Sequence, residues 1–189
     1  MNTPAHLLIG AAAFGKGRSG LIWAALAGGL LPDLSLYLMA GVSLYVLDVP
    51  PRTVFGELYY SDLWQGVFAV DNSVFVWGAL LALALWRRSG WGLALTASAL
   101  LHLALDFPLH HDDGRAHFWP LTGWIFESPV SYWDRRHGAQ WFAPIEAALC
   151  VVAAIRIWLW RPGWALGAVT ALLSLAELMV GRVWAVVFG

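Results

Sequence analysis

Long apolar runs separated by short turns of Gly, Pro and Arg set the pattern of this chain. Residues 4–14 form the first run. It opens on Thr3-Pro4, a capping residue with proline at the first helical position, and ends at the glycine-rich turn 15–20. At about 1.5 Å per residue such a helix rises about 16 Å, half of a hydrocarbon core about 30 Å thick, so the pattern predicts a half-span or tilted element. Residues 21–47 are long enough to cross, but Leu31-Pro32-Asp33 interrupts them. Proline removes a backbone hydrogen bond, which predicts a broken second helix with Asp33 at the break. Further spans are predicted over 67–86, 91–107, 141–160 and 164–186, with polar connections at 48–66 and 107–140. The expected fold class is all-α. It is a polytopic membrane helix bundle of about five spans plus a short N-terminal half-helix, one integral membrane domain over 1–189 with 107–140 as an outward-facing loop.

Composition agrees: 60% of residues are hydrophobic and mean hydropathy is +0.66, more than a water-soluble core of this size needs. A net charge of −1 leaves no basic surface for nucleic acid, so membrane lipids, and possible membership of a membrane-protein complex, are the expected partnerships. The turns at 15–20, 87–90 and 161–163 carry Arg or Lys, while the connections at 48–66 and 107–140 carry an acidic excess. The positive-inside rule then puts the basic turns in the cytoplasm and the acidic loops outside, facing the periplasm if this is a bacterial inner membrane. The apolar N-terminal run lacks a basic leader and reads as retained. Cys150, the single cysteine, reads as a small buried apolar residue.

Chemistry concentrates in one layer. Counting about 1.5 Å per residue from each basic turn, His6 lies about 15 Å up, His102 about 18 Å, and Asp33, Asp71, Asp106 and Glu146 about 21–25 Å. Ionised groups inside a membrane must face the bundle interior and find partners, and no Lys or Arg is expected at that level. A divalent cation would hold such acids and imidazoles together, and their mixture of oxygen and nitrogen suits zinc ahead of manganese or iron. His102 and Asp106, four apart, project from one helix face. His110, His111 and His117 follow within the next eleven residues. Simpler roles compete. Asp33 suits the N-cap of a half-helix from Leu34, Asp71 suits a cap for a helix starting at Asn72 or Ser73, and Glu146, after Pro144, suits the first turn of its helix. Asp112 and Asp113 read as solvated loop, Glu177 and Arg182 as a structural pair, and Arg156 as a snorkelling side chain.

His6 in a short apolar helix, Gly29-Leu30-Leu31-Pro32-Asp33, and His102-xxx-Asp106 followed by Trp119-Pro120 together resemble the YdjM-like family of inner-membrane metal-dependent hydrolases. That family is similar in turn to zinc-dependent phospholipase C and P1 nuclease. The resemblance covers about residues 4–120 and implies an all-helical enzyme whose His and Asp residues hold one to three zinc ions. Two positions depart from it. Ser35 stands where the family has a second acid, and Asp71-Asn72-Ser73 stands where it has a histidine-rich segment.

The expected function is a membrane metallohydrolase acting on a phosphoester or lipid headgroup at the outer face. His6, Asp33, His102, Asp106, His110, His111 and His117 are the candidate metal ligands. Asp71 or Glu146 is the expected base or additional ligand, and Arg115 the expected phosphate-binding group. Trp119, Trp124 and Trp133 are expected to form an aromatic lid at headgroup level. A non-catalytic membrane subunit is the alternative. An ion-coupled transporter is the second, since carboxylates at broken helices are typical of transport sites.

Overall fold

The computed structural model describes residues 1–188, with side chains through 180, so the side chain of Arg182 lies outside the described residues. Among the described residues the regular structure is helical: α1 (Thr3–Phe14), α2 (Ser19–Tyr45), α3 (Pro51–Thr53) running into a π-helical turn (Val54–Leu58), α4 (Asp62–Asp71), α5 (Val74–Trp86), α6 (Gly90–Asp106), a 3-10 turn (Arg135–His137), α7 (Ala139–Leu159) and α8 (Trp164–Phe188). Three stretches are long and apolar enough to cross a membrane, namely α2, the α4–α5 pair over Asp62–Trp86, and α7, which is consistent with a membrane protein.

The short α1 lies at the centre, against α2, α6, α7 and α8. Its sequence has no polar face, and a helix that is apolar all round is stable only when surrounded. Ala5, Leu8 and Ala11 are fully buried. Small residues let α1, α2 and α6 approach closely, as is usual for helix packing in membranes. A Cβ on Gly28 would overlap the Leu95 carbonyl of α6, and one on Gly29 would lie 2.9 Å from the His6 carbonyl oxygen of α1. Ala24, Ala25 and Ala94 are buried together beside them, and Ser98 Oγ donates to the Ala25 carbonyl at 2.7 Å.

The predicted break in the second helix does not occur: α2 runs unbroken through Pro32. The proline forgoes one backbone hydrogen bond, and neighbouring helices can hold a span together across such a gap. Asn72 Nδ2 of the α4–α5 junction donates to the Pro32 carbonyl at 3.2 Å. Asp33 is therefore an interior helical residue and caps nothing. The discontinuity falls instead between α4 and α5, where Ser73 caps α5 by accepting from the Phe75 and Val76 amides at 3.2 Å each. Asp71 closes α4. Likewise α7 contains Pro144 in its interior, so Glu146 sits well past the first turn.

The basic turns gather at one end of the bundle. Gly17 lies against the Trp160 ring, next to the 161–163 turn, and Gly90 against Leu21. The loops at the other end pack on each other, with Tyr59 Oη donating to the Asp113 carbonyl at 3.3 Å.

If the α2–α6 contact sets the fold, Gly28→Val should overpack it, at a cost of about 1–3 kcal/mol, and lower the thermal denaturation midpoint in detergent by several degrees. Gly78→Ala, on α5 with open space at its Cβ position, should leave the midpoint unchanged or raise it slightly.

Candidate metal centre

His6 from α1, His102 and Asp106 from α6, and Asp33 from α2 converge where the three helices pack. His6, His102 and Asp106 each offer a donor atom within 4.8 Å of the others, and all three are buried. His6 Nε2 lies 2.8 Å from Asp106 Oδ1. The two imidazoles stack with centroids 3.7 Å apart and planes 18° from parallel. On the far side of the carboxylate, His102 Nε2 is 3.2 Å and His110 Nε2 3.3 Å from Asp106 Oδ2. Asp33 Oδ1 is 3.6 Å from His102 Nε2, and its Oδ2 accepts from Thr3 Oγ1 at 2.6 Å.

The orientation of His102 is fixed through its other nitrogen. Nδ1 meets the Gly29 carbonyl at 2.8 Å, so the ring carries a proton there and turns Nε2 toward the carboxylates. This is the arrangement that prepares a histidine for a metal ion. Although close to Asp106, His102 Nε2 is buried with no hydrogen bond, and the same is true of both ring nitrogens of His110. A ring nitrogen facing two carboxylates is answered either by a proton on the ring or by a metal ion between the groups. The nitrogen–oxygen donor set, the spacing and the unpartnered Nε2 all fit a divalent ion.

Positive charge is also present in the protein itself, which the sequence reading did not anticipate. The Met1 amine donates to Asp106 Oδ1. His110 lies between Asp106 and Asp113, with Nδ1 3.0 Å from Asp113 Oδ2. Burial alone would lower this imidazole, but the two carboxylates raise it to about 9. Arg115 is a third cation, buried at 8% exposure, and Asp33 and Asp113 both lie close enough to support its charge.

The remaining candidates lie elsewhere. His111 Nδ1 pairs with the Ser128 carbonyl at 2.6 Å, and its ring stacks on His137 at 3.6 Å, beside an open cavity of about 400 Å³ that Tyr60 and Glu127 also line. His117 Nδ1 pairs with the Asn72 carbonyl at 3.0 Å and its ring packs on Phe107. Burial lowers the His117 pKa, as expected for a neutral ring. It is Asn72, rather than Asp71, that reaches α2, while Asp71 contributes its carbonyl to Trp77 Nε1 at 2.6 Å. Glu146 Oε1 accepts from the Asn2 amide at 2.5 Å, at the N-terminus of α1. Arg115, expected to meet phosphate, is turned inward. It donates to Tyr59 Oη and to the Asp113 carbonyl, with the guanidinium 4.3 Å from the Phe68 ring centroid. Asp113 is thus no solvated bystander, since it also accepts from Trp133 Nε1 at 3.0 Å. Of the expected lid, Trp124 stacks on Phe118 with centroids 5.9 Å apart, and Trp119, Trp124 and Trp133 are all exposed. Ser35, where the resemblance calls for an acid, has its hydroxyl buried without a partner.

Arg115 therefore clamps the loop that carries Tyr59 to the loop that carries Asp113. Arg115→Ala should destabilise them by about 1–3 kcal/mol through the hydrogen bonds it leaves unmade. The expected readout is faster proteolytic cleavage within 107–138, with the metal content of the purified protein unchanged.

No family model matches this chain, and neither does any curated protein or solved structure, so the reading of function rests on the geometry alone.

Proposed function

We propose that this protein is a membrane-bound, metal-dependent hydrolase of a phosphoester, with its site at the outer face of a bacterial inner membrane. The observation that carries this reading is the convergence of His6, His102 and Asp106, three buried donors from two helices, with the unpartnered Nε2 of His102 aimed at the carboxylate. Zinc is the ion the donor set favours, with Asp33 and His110 at the margin of the site. In this reading α6 and α8 also cross the bilayer, making about five spans around the half-span α1, and the clustered basic turns face the cytoplasm.

A bound divalent ion supplies Lewis acidity, lowering the pKa of a water it holds and drawing charge from a phosphoryl oxygen. The chain's own residues do the rest. His6, His102 and Asp106 hold the ion, and the Gly29 carbonyl keeps His102 in the required tautomer. Asp33, whose side chain is 18% exposed, is the most open acid of the group and is placed to take the proton from the attacking water. His110, between two carboxylates, is placed to return a proton to the leaving oxygen.

Elemental analysis of the purified protein should find zinc in near-stoichiometric amount, lost in the His102→Ala, Asp106→Ala double variant and retained in His111→Ala. Hydrolysis of a phosphodiester substrate should fall with chelation and return on adding zinc. Asp33→Asn should lower kcat by 10²–10⁴-fold, the usual range for a general base, while retaining the ion. Equal, near-zero metal in the wild type and the double variant removes the proposal. That result would favour a non-catalytic membrane subunit, since the Met1 amine and His110 already stand against Asp106 and suffice to order the cluster.

A further inference from the structure

Beside the metal centre, α6 and α7 do not close on each other; α1 packs against both and its N-terminus separates them. The gap is a cavity of about 280 Å³, lined by Leu105 and Leu109 of α6 and its C-terminal extension, Phe142, Ile145 and Leu149 of α7, and Met1. Ile145 and Leu149 are 57% and 44% exposed on a helix apolar enough to span, so the mouth opens sideways toward the surroundings of α7. The inner end differs. Glu146 lines it at 3% exposure, with Oε1 taken by the Asn2 amide and Oε2 buried without a partner. Glu177 reaches the same Asn2 from α8, and its Oε2 is likewise buried and unpartnered. The amine of Met1, a residue that also lines the cavity, is directed at Asp106.

We propose that this cavity binds a membrane phospholipid bearing a primary ammonium headgroup, one acyl chain lying in the apolar gap between α6 and α7 and the ammonium meeting the free oxygen of Glu146. The volume falls just below the usual ligand-pocket range of about 300–1,000 Å³, so it takes a segment of one chain, the rest leaving through the open mouth. A primary ammonium carries three donors, enough to reach the free oxygens of both Glu146 and Glu177, whereas a hydroxyl carries one. Met1 joins the cavity to the metal centre, since the residue that lines one donates to Asp106 in the other. As a substrate class, this lipid rests on the hydrolase reading; as a binding site, it does not.

The test uses the full chain in vesicles of phosphatidylcholine and phosphatidylglycerol, doped with a trace of phosphatidylethanolamine carrying a diazirine on one acyl chain. Photolysis should label residues 104–109 and 142–149 at least fivefold above Val152 and Ile155 on the outer face of α7. Ala104→Trp, which fills the cavity from α6, should bring labelling of those segments down to the outer-face level, with the fold checked by an unchanged denaturation midpoint. Diazirine-bearing phosphatidylcholine or phosphatidylglycerol at the same dose should label the cavity at least fivefold less than phosphatidylethanolamine, and Glu146→Leu should erase that preference. Uniform labelling along α7, labelling indifferent to Ala104→Trp, or equal labelling by the three lipids would each overturn the proposal. Metal content, measured on the same samples, keeps the two readings apart: cavity labelling without zinc leaves the lipid site standing and removes the hydrolase.

Discussion

The bond between His102 Nδ1 and the Gly29 carbonyl joins the packing of this protein to its chemistry. It forms because α6 lies against a stretch of α2 with no side chains at residues 28 and 29, where a Cβ would strike the Leu95 carbonyl or the backbone of α1. The same closeness brings the His6 ring onto the His102 ring. Small residues in α2 and the ligand geometry are therefore one constraint expressed twice. A wider helix spacing would leave Gly29 without its donor and His102 free to rotate.

The central position of α1 follows from the same constraint. A helix of 12 residues is too short to span, yet it has no polar face to turn toward water. Its N-terminus consequently ends inside the bundle, where the first amides of a helix need acceptors and the dipole favours negative charge. Glu146 supplies an acceptor to the Asn2 amide, Glu177 binds the Asn2 side chain, and Asp106 binds the Met1 amine. Acids from α6, α7 and α8 are thereby drawn to one depth for a reason independent of any ion. The half-span helix carries His6 to that depth as well.

Much of this was legible in the sequence. Apolar run lengths located the helices, the distribution of Arg and Lys identified the turns that gather at one end, and rise per residue put His6, Asp33, His102 and Asp106 in one layer. The errors share a physical origin. Proline was read as a breaker at Pro32 and as a helix start at Pro144, but inside a packed bundle a single lost hydrogen bond does not end a helix. Local spacing grouped His110, His111 and His117, although adjacent loop residues point in different directions. His110 turns to Asp106, His111 to Ser128 and His117 to Asn72. Arg115 and the Met1 amine were missed as partners because the loops that bring cations inward leave no periodic signal. The clue available was Arg115 itself, a lone basic residue in an acidic loop rich in aromatics.

Charge bookkeeping explains why such a cluster can persist before any ion arrives. Asp106 is the common acceptor, with His6 and the Met1 amine on Oδ1 and His102 and His110 facing Oδ2. A buried carboxylate needs partners on both oxygens, and here an amine and two or more imidazoles supply them. A divalent ion requires the same carboxylate together with neutral imidazoles, so its arrival must release protons and displace the amine from Oδ1. The protein's own cations thus hold His6, His102 and Asp106 together in an arrangement that could take a metal ion. Met1 is also the residue shared with the cavity between α6 and α7, so the proposed ion site and the proposed lipid site would meet at a single group.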